Sequence, residues 1–208
     1  MKDKKIIGLT GAYCAGKNHV AQLLERRLLP VLDLDKLGHA VIEIEKALIL
    51  ERFGDDILGK EGLIDRKRLG AKVFGKPEEL AALEGIIHPA VNRETLAWIE
   101  AREEKACVIN AALLHRSSAA ELLDMLIIVE APLPVRLLRA KKRDRLPWGA
   151  LFKRFWSQKS FNYQYFKRKT DIYRVKNSRF FDLERSSLEG KLEKRIDEIL
   201  SLQGTTRV

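Results

Sequence analysis

Apolar and polar positions change their spacing several times along this 208-residue chain, and each change marks an element. Ile6, Ile7 and Leu9 form an apolar run, the pattern of a strand covered on both faces. Val20, Leu23, Leu24 and Leu28 then recur three and four apart, which is one face of a helix. A glycine-punctuated turn, Gly11 to Asn18, separates the two. Leu29 to Asp35 reads as a second strand, on which Asp33 and Asp35, two residues apart, share a face. From Leu37 to about Arg102 the pattern is helical, broken at Phe53-Gly54-Asp55-Asp56, Gly59-Lys60-Glu61-Gly62 and Gly75-Lys76-Pro77. His88-Pro89 follows an apolar helix end, and Pro89 suits the first turn of the next helix. Ala106 to Ala111 and Met125 to Val129 are two further buried strands. Pro132 to Arg143 opens a basic helix, Asp171 to Asn177 is a short fifth strand, and Leu188 to Leu202 a closing helix.

These elements predict an α/β fold with a parallel sheet covered by helices. The helical run between the second and third strands is too long for one crossover, so it forms a small lobe of its own. The whole is one domain, with a core at about 5–35, 104–135 and 170–203 and a helical lobe at about 36–103.

The turn carries the first chemistry. Gly11 and Gly16 stand at the spacing G-x-x-x-x-G-K, in which successive backbone N–H groups curl around a polyphosphate and Lys17 supplies a cation. The following helix adds the positive end of its dipole. Where a Ser or Thr hydroxyl usually follows the lysine as a Mg²⁺ ligand, this chain has Asn18, whose amide oxygen is also a hard neutral donor. Asp33 and Asp35 come at the carboxyl end of the second strand, where open α/β sheets place their ligands. Asp35 has two readings there, a proton acceptor beside a phosphoryl group or an N-cap for the helix that follows.

Charge sharpens the picture. The net charge is +10, and from Arg136 to Arg179 there are 15 Lys and Arg against Asp144 and Asp171 alone. Such a segment favours a polyanion. Trp148, Phe152, Phe155, Trp156, Phe161, Tyr163, Tyr165 and Phe166 interleave with the cations, as in single-strand nucleic-acid binding. The reading preferred here is an amphipathic helix pair that buries the rings and solvates the cations. No apolar run approaches a membrane span, and Met1 to Lys5 leads into the first strand without a signal-peptide pattern, so a cytoplasmic protein is expected. Two cysteines, Cys14 and Cys107, make no disulfide framework.

With Gly8-Leu9-Thr10-Gly11, Val31 to Asp35, Phe53 to Leu58, Gly62 to Arg66, Val73-Phe74 with Pro77-Glu78, Ile87-His88-Pro89, and Arg139 with Arg143-Asp144, the chain resembles the dephospho-coenzyme A kinase family over about residues 5 to 145. The resemblance implies a P-loop kinase with a five-stranded parallel sheet and a helical lid at about 136–169, using ATP and Mg²⁺ to phosphorylate the ribose 3′-hydroxyl of dephospho-coenzyme A. It puts the general base on Asp35, the loop lysine on Lys17 and lid arginines on Arg139 and Arg143, all four as catalytic residues. ATP contacts fall on Gly11, Ala12, Tyr13, Cys14, Ala15, Gly16, Lys17, Asn18, His19 and Asn177, and substrate-side positions on Asp33, His39 and His88. Asn18 would touch the metal directly or through water. Neither nucleic acid nor a membrane is an expected partner, and oligomeric state is not legible. Two departures stand out: Asn18 itself, and Arg116 where the family carries an acid. They leave two alternatives beside an active family member: another P-loop small-molecule or nucleotide kinase, or a nucleotide- or RNA-binding P-loop protein without turnover.

Overall fold

The computed structural model describes residues 4–157, 170–178 and 185–202. Five strands, β1 (Lys5–Gly11), β2 (Val31–Asp33), β3 (Ala106–Asn110), β4 (Met125–Glu130) and β5 (Asp171–Lys176), form one sheet in the order β2-β3-β1-β4-β5. β1 pairs in parallel with β3 and β4, and β4 with β5. The carboxyl ends are in step, Leu9 opposite Asn110 and Gly11 opposite Val129, so the segments leaving β1, β3 and β4 emerge along one edge. A Cβ on Gly11 would lie 2.7 Å from the Val129 carbonyl oxygen, so glycine is what lets β1 end this close to β4.

Burial explains why β1, β3 and β4 are mostly apolar. Ile7, Leu9, Val108, Met125 and Ile127 have no more than 0% exposure, packed with Val20, Leu23 and Leu24 of α1 (Lys17–Glu25) and Ile196, Ile199 and Leu200 of α8 (Arg185–Leu202). Side chains that would alternate in a half-wet sheet are apolar on both faces of these three strands because both faces are buried: Ile6, Cys107, Ile109, Leu126 and Ile128, which alternate with those above, are also buried.

Asp33–Ala101 forms a unit of its own. It contains α2 (Leu34–Ile44), α3 (Lys46–Phe53), a 3₁₀ turn at Asp55–Ile57, α4 (Arg66–Val73) and α5 (Pro77–Glu100). Its core gathers Ile42, Ile49, Phe53, Ile57, Ile64, Leu69, Val73 and Leu83. Among the described elements outside this unit, α6 (Leu133–Asp144) and α7 (Trp148–Ser157) follow β4.

Three local expectations need correction. The second strand stops at Asp33, and Asp35 lies in the first turn of α2, so the two acids do not share a strand face. The reason is a cap: Asp33 Oδ1 accepts from the backbone N–H of Asp35 at 3.0 Å and of Lys36 at 3.2 Å, starting the helix two residues early. Pro89 does not open a helix but lies inside the continuous 24-residue α5. The residue four before it is Gly85, and both are exposed, so the carbonyl that Pro89 leaves without a donor faces water. The rings of Trp148, Phe152 and Trp156 are exposed, while Leu151 is the buried residue of α7. Ten residues of helix have one inward face, and Leu151 with the half-buried Phe155 occupies it. Phe161, Tyr163, Tyr165 and Phe166, and the end of the expected lid, lie outside the described residues.

Leu9→Ala should destabilise the protein by about 3 kcal/mol through lost transfer energy and the cavity left in the central strand. Urea unfolding with an unchanged slope measures it.

Candidate functional site

Local backbone conformation shapes the loop between β1 and α1. The Ala15 N–H bonds the Ala12 carbonyl at 2.9 Å, and Cys14 (φ 58°) and Gly16 (φ 94°) are both left-handed. Such alternation turns consecutive N–H groups to one side, and an anion-binding concavity results. α1 begins at Lys17 with no side-chain cap and no acid in its first turn, leaving its first N–H groups for a ligand. Lys17 is half-buried at the helix start and Asn18 is exposed beside it.

N–H groups turned inward leave carbonyls turned outward, and these need donors. Two arginines of α6 provide them. Arg136 Nε donates to the Tyr13 carbonyl at 2.9 Å. Arg139 Nη1 donates to the carbonyls of Cys14 at 3.4 Å and Ala15 at 3.0 Å. Arg139 Nη2 donates to both oxygens of Asn177, each at 3.2 Å. Asn177 is buried, and its backbone N–H bonds the Glu130 carbonyl at 2.7 Å, which fixes it against the end of β4. A Cβ on Gly16 would stand 2.1 Å from Asn177 Nδ2, so that glycine is required by space as well as by its φ.

A second group of contacts surrounds Tyr13. Its hydroxyl donates to Asp144 Oδ2, and its ring meets that of Phe155 edge-on with centroids 5.2 Å apart. Arg143 donates to Asp144 through Nε at 2.7 Å. The four guanidiniums of Arg136, Arg139, Arg143 and Arg154 all act on Cys14, yet burial outweighs them and pushes its thiol above the ordinary range. Burial also lowers the pKa of Arg136.

Of the residues singled out by sequence, Tyr13, Cys14, Ala15, Gly16, Arg139 and Asn177 are brought together here. His19 turns instead toward Glu189 of α8, Nε2 to Oε1 3.7 Å. Asp33, Asp35, His39 and His88 belong to the other unit. Asp35 and His39 are exposed one turn apart on α2, and His88 is exposed on α5. Arg136 and Asp144 were not among the site residues the sequence suggested. The spacing Arg136, Arg139, Arg143 was the available signal for the first, since residues three and seven apart share a helix face. Asn110 was also missed: at the carboxyl end of β3, its buried Oδ1 has no hydrogen-bond partner.

Donor chemistry around the loop suits a cation held mainly by phosphates and water. Among the described residues no group of three or more His, Cys, Asp or Glu could hold a metal ion. The Asn18 amide oxygen is a hard neutral donor at the loop's end, the kind of single protein ligand that Mg²⁺ accepts.

A family model described as dephospho-CoA kinase matches residues 5–178, from the start of β1 to just past Asn177. The chain belongs to the dephospho-CoA kinase family. The resemblance drawn from residues 5 to 145 therefore holds, and extends through β5. Among relatives, the dephospho-CoA kinase of Treponema pallidum is 31% identical over 209 residues, covering 96% of this chain and 95% of the relative. That of Anaeromyxobacter dehalogenans is 38% identical over 148 residues, covering 68% and 70%. The crystal structure of TT1252 from Thermus thermophilus, 31% identical, covers 94% of this chain and 98% of its own with a TM-score of 0.75. The dephospho-CoA kinase of Campylobacter jejuni, 23% identical, shares the fold with a TM-score of 0.63. Among the described residues no helix is long and apolar enough to cross a membrane.

The raised thiol predicts that Cys14, although beside four arginines, reacts slowly with iodoacetamide at pH 8 relative to a free thiol, and that its rate is still climbing at a pH where that of a free thiol has levelled off. Peptide mass spectrometry of timed alkylation reads this; rapid labelling at pH 7 would show that the arginines prevail over burial.

Proposed function

We propose that this chain transfers the γ-phosphoryl group of ATP to the ribose 3′-hydroxyl of dephospho-coenzyme A, giving coenzyme A and ADP. The observation that carries the reading is the loop itself: its N–H groups converge, its carbonyls are held by Arg136 and Arg139, and it sits in a chain that matches its family from residue 5 to 178. In phosphoryl transfer the protein mainly positions two anions and stabilises charge as it moves.

The roles follow from the chemistry of each group. Lys17, the loop N–H groups and the start of α1 hold the β- and γ-phosphates. Asp35 accepts the proton of the 3′-hydroxyl as its oxygen bonds to the γ-phosphorus, while the bond from that phosphorus to the bridging oxygen breaks and the electron pair leaves with ADP. Asp33, by capping α2, sets where Asp35 stands, one turn from His39. His39 and His88 serve the acceptor, and Arg143 serves the phosphates as a bidentate donor. Arg139 and Asn177 act through the loop they hold, as positioning residues. Asn18 would hold Mg²⁺, directly or through water, which when bound supplies neutralisation of β- and γ-phosphate charge. The unpaired cysteines Cys14 and Cys107 fit the reducing cytoplasm as the place of this reaction.

Incubation with ATP, Mg²⁺ and dephospho-coenzyme A should yield coenzyme A by mass spectrometry; failure of the purified chain to form it would contradict the reading. Asp35→Asn should lower turnover by roughly two to four orders of magnitude, the contribution of a positioned proton acceptor, with ATP affinity little changed. An unaltered rate would leave Asp35 a surface residue of α2.

A further inference from the structure

Four guanidiniums approach the loop, and they fall into two kinds. Arg136 and Arg139 give donors to its carbonyls. Arg143, from α6, and Arg154, from α7, lie over the Tyr13 ring, 5.0 and 6.0 Å from its centroid. Arg154 Nη1 donates to the Tyr13 hydroxyl at 3.3 Å and stands 3.5 Å from Asp144 Oδ2. Arg143 donates to both oxygens of Asp144, Nε to Oδ1 at 2.7 Å and Nη2 to Oδ2 at 3.2 Å. The Tyr13 hydroxyl donates to the same Oδ2. One phenol of the loop and one carboxylate thus organise two cations from two helices.

Exposure separates the partners. The arginine side chains are 60% and 54% exposed, and the Asp144 side chain 16%. Asp144 is therefore the fixed point and the guanidiniums are the parts open to solvent. An exposed ion pair and an exposed cation over a ring each hold weakly, by about 1 kcal/mol or less. A polyphosphate offers more charge than one carboxylate and suits the planar fork of arginine, so it can draw both cations from Asp144 without breaking the loop.

We propose that Tyr13 is a positioning residue which, with Asp144, parks Arg143 and Arg154 beside the loop as a releasable pair of cations for the terminal phosphates of bound nucleotide. The proposal rests on reading the loop as the ATP site. Tyr13 acts through its hydroxyl, which fixes the Asp144 carboxylate to the loop and thereby sets where the two guanidiniums start. Without that hydroxyl the ring remains as a shelf and α6 stays bound to the loop through Arg136 and Arg139, but the Asp144 carboxylate loses its bond to Tyr13.

Calorimetric titration of the full chain with ATP and, separately, with ADP tests this without any acceptor. Tyr13→Phe should weaken ATP binding about tenfold, as expected for one charge-assisted hydrogen bond, and ADP binding no more than about threefold. In an Arg143→Gln, Arg154→Gln background the same substitution should have no further effect, because its route to the phosphates is gone. Equal weakening of ATP and ADP, no weakening, or an effect that persists in that background would overturn the proposal. Failure of the unsubstituted protein to bind ATP would overturn it together with the proposed function, whereas ATP binding without formation of coenzyme A would contradict the function alone.

Discussion

Arg139 bridges the carbonyl oxygens of Cys14 and Ala15 to both oxygens of Asn177, and so ties α6 and the residue after β5 to the loop after β1. The constraint it answers is general. A loop that turns its N–H groups toward an anion must turn carbonyls away from it, and those carbonyls are costly if left without donors. Arginine suits the task because one planar fork reaches several acceptors at once. The sheet order serves the same end, since β4 lies beside β1 and both α6 and Asn177 follow from its neighbourhood.

Preorganisation and charge then work together. The loop's conformation is set within the chain by left-handed Cys14 and Gly16 and by the packing of Asn177 on Gly16. Cations that anchor the loop from behind also raise the positive potential in front of it, which favours a polyanion and steers its approach. Asp144 is the counterweight: it pairs with Arg143 and Arg154 and accepts from Tyr13. In that setting burial raises the pKa of the half-buried Cys14 thiol despite its basic neighbours.

Much of this was legible because it is local. An apolar run ending in G-x-x-x-x-G-K states strand, loop and helix within sixteen residues, and the apolar runs Ala106 to Ile109 and Met125 to Val129 announce a covered parallel sheet. Two local signals met at Asp35, a strand running through it and an N-cap; the cap falls instead on Asp33, which ends β2 and accepts from the backbone N–H of Asp35 and Lys36. Pro89 carries a strong helix-start signal that tertiary packing of a long helix overrides, with Ala90 and Leu83 buried on either side. What was not legible is non-local. Asn177 meets Gly16 from the far end of the domain sequence, and Tyr13 meets Asp144 across a separation of 131 residues, contacts that no periodicity encodes. The exposed rings of Trp148, Phe152 and Trp156 likewise follow from how much of α7 the fold can cover, not from its amphipathic pattern.

The central claim is that Arg139 preforms the phosphate loop from behind, and equilibrium ATP affinity of Arg139→Met compared with Lys142→Met tests it most directly. Both substitutions remove one positive charge from α6, but Lys142 is exposed. The account predicts that Arg139→Met weakens ATP binding by at least about tenfold through lost loop bonds while Lys142→Met stays within about threefold of the unsubstituted protein. Equal affinities for the two variants would contradict it, showing that charge alone, and not the loop's fixed shape, governs binding.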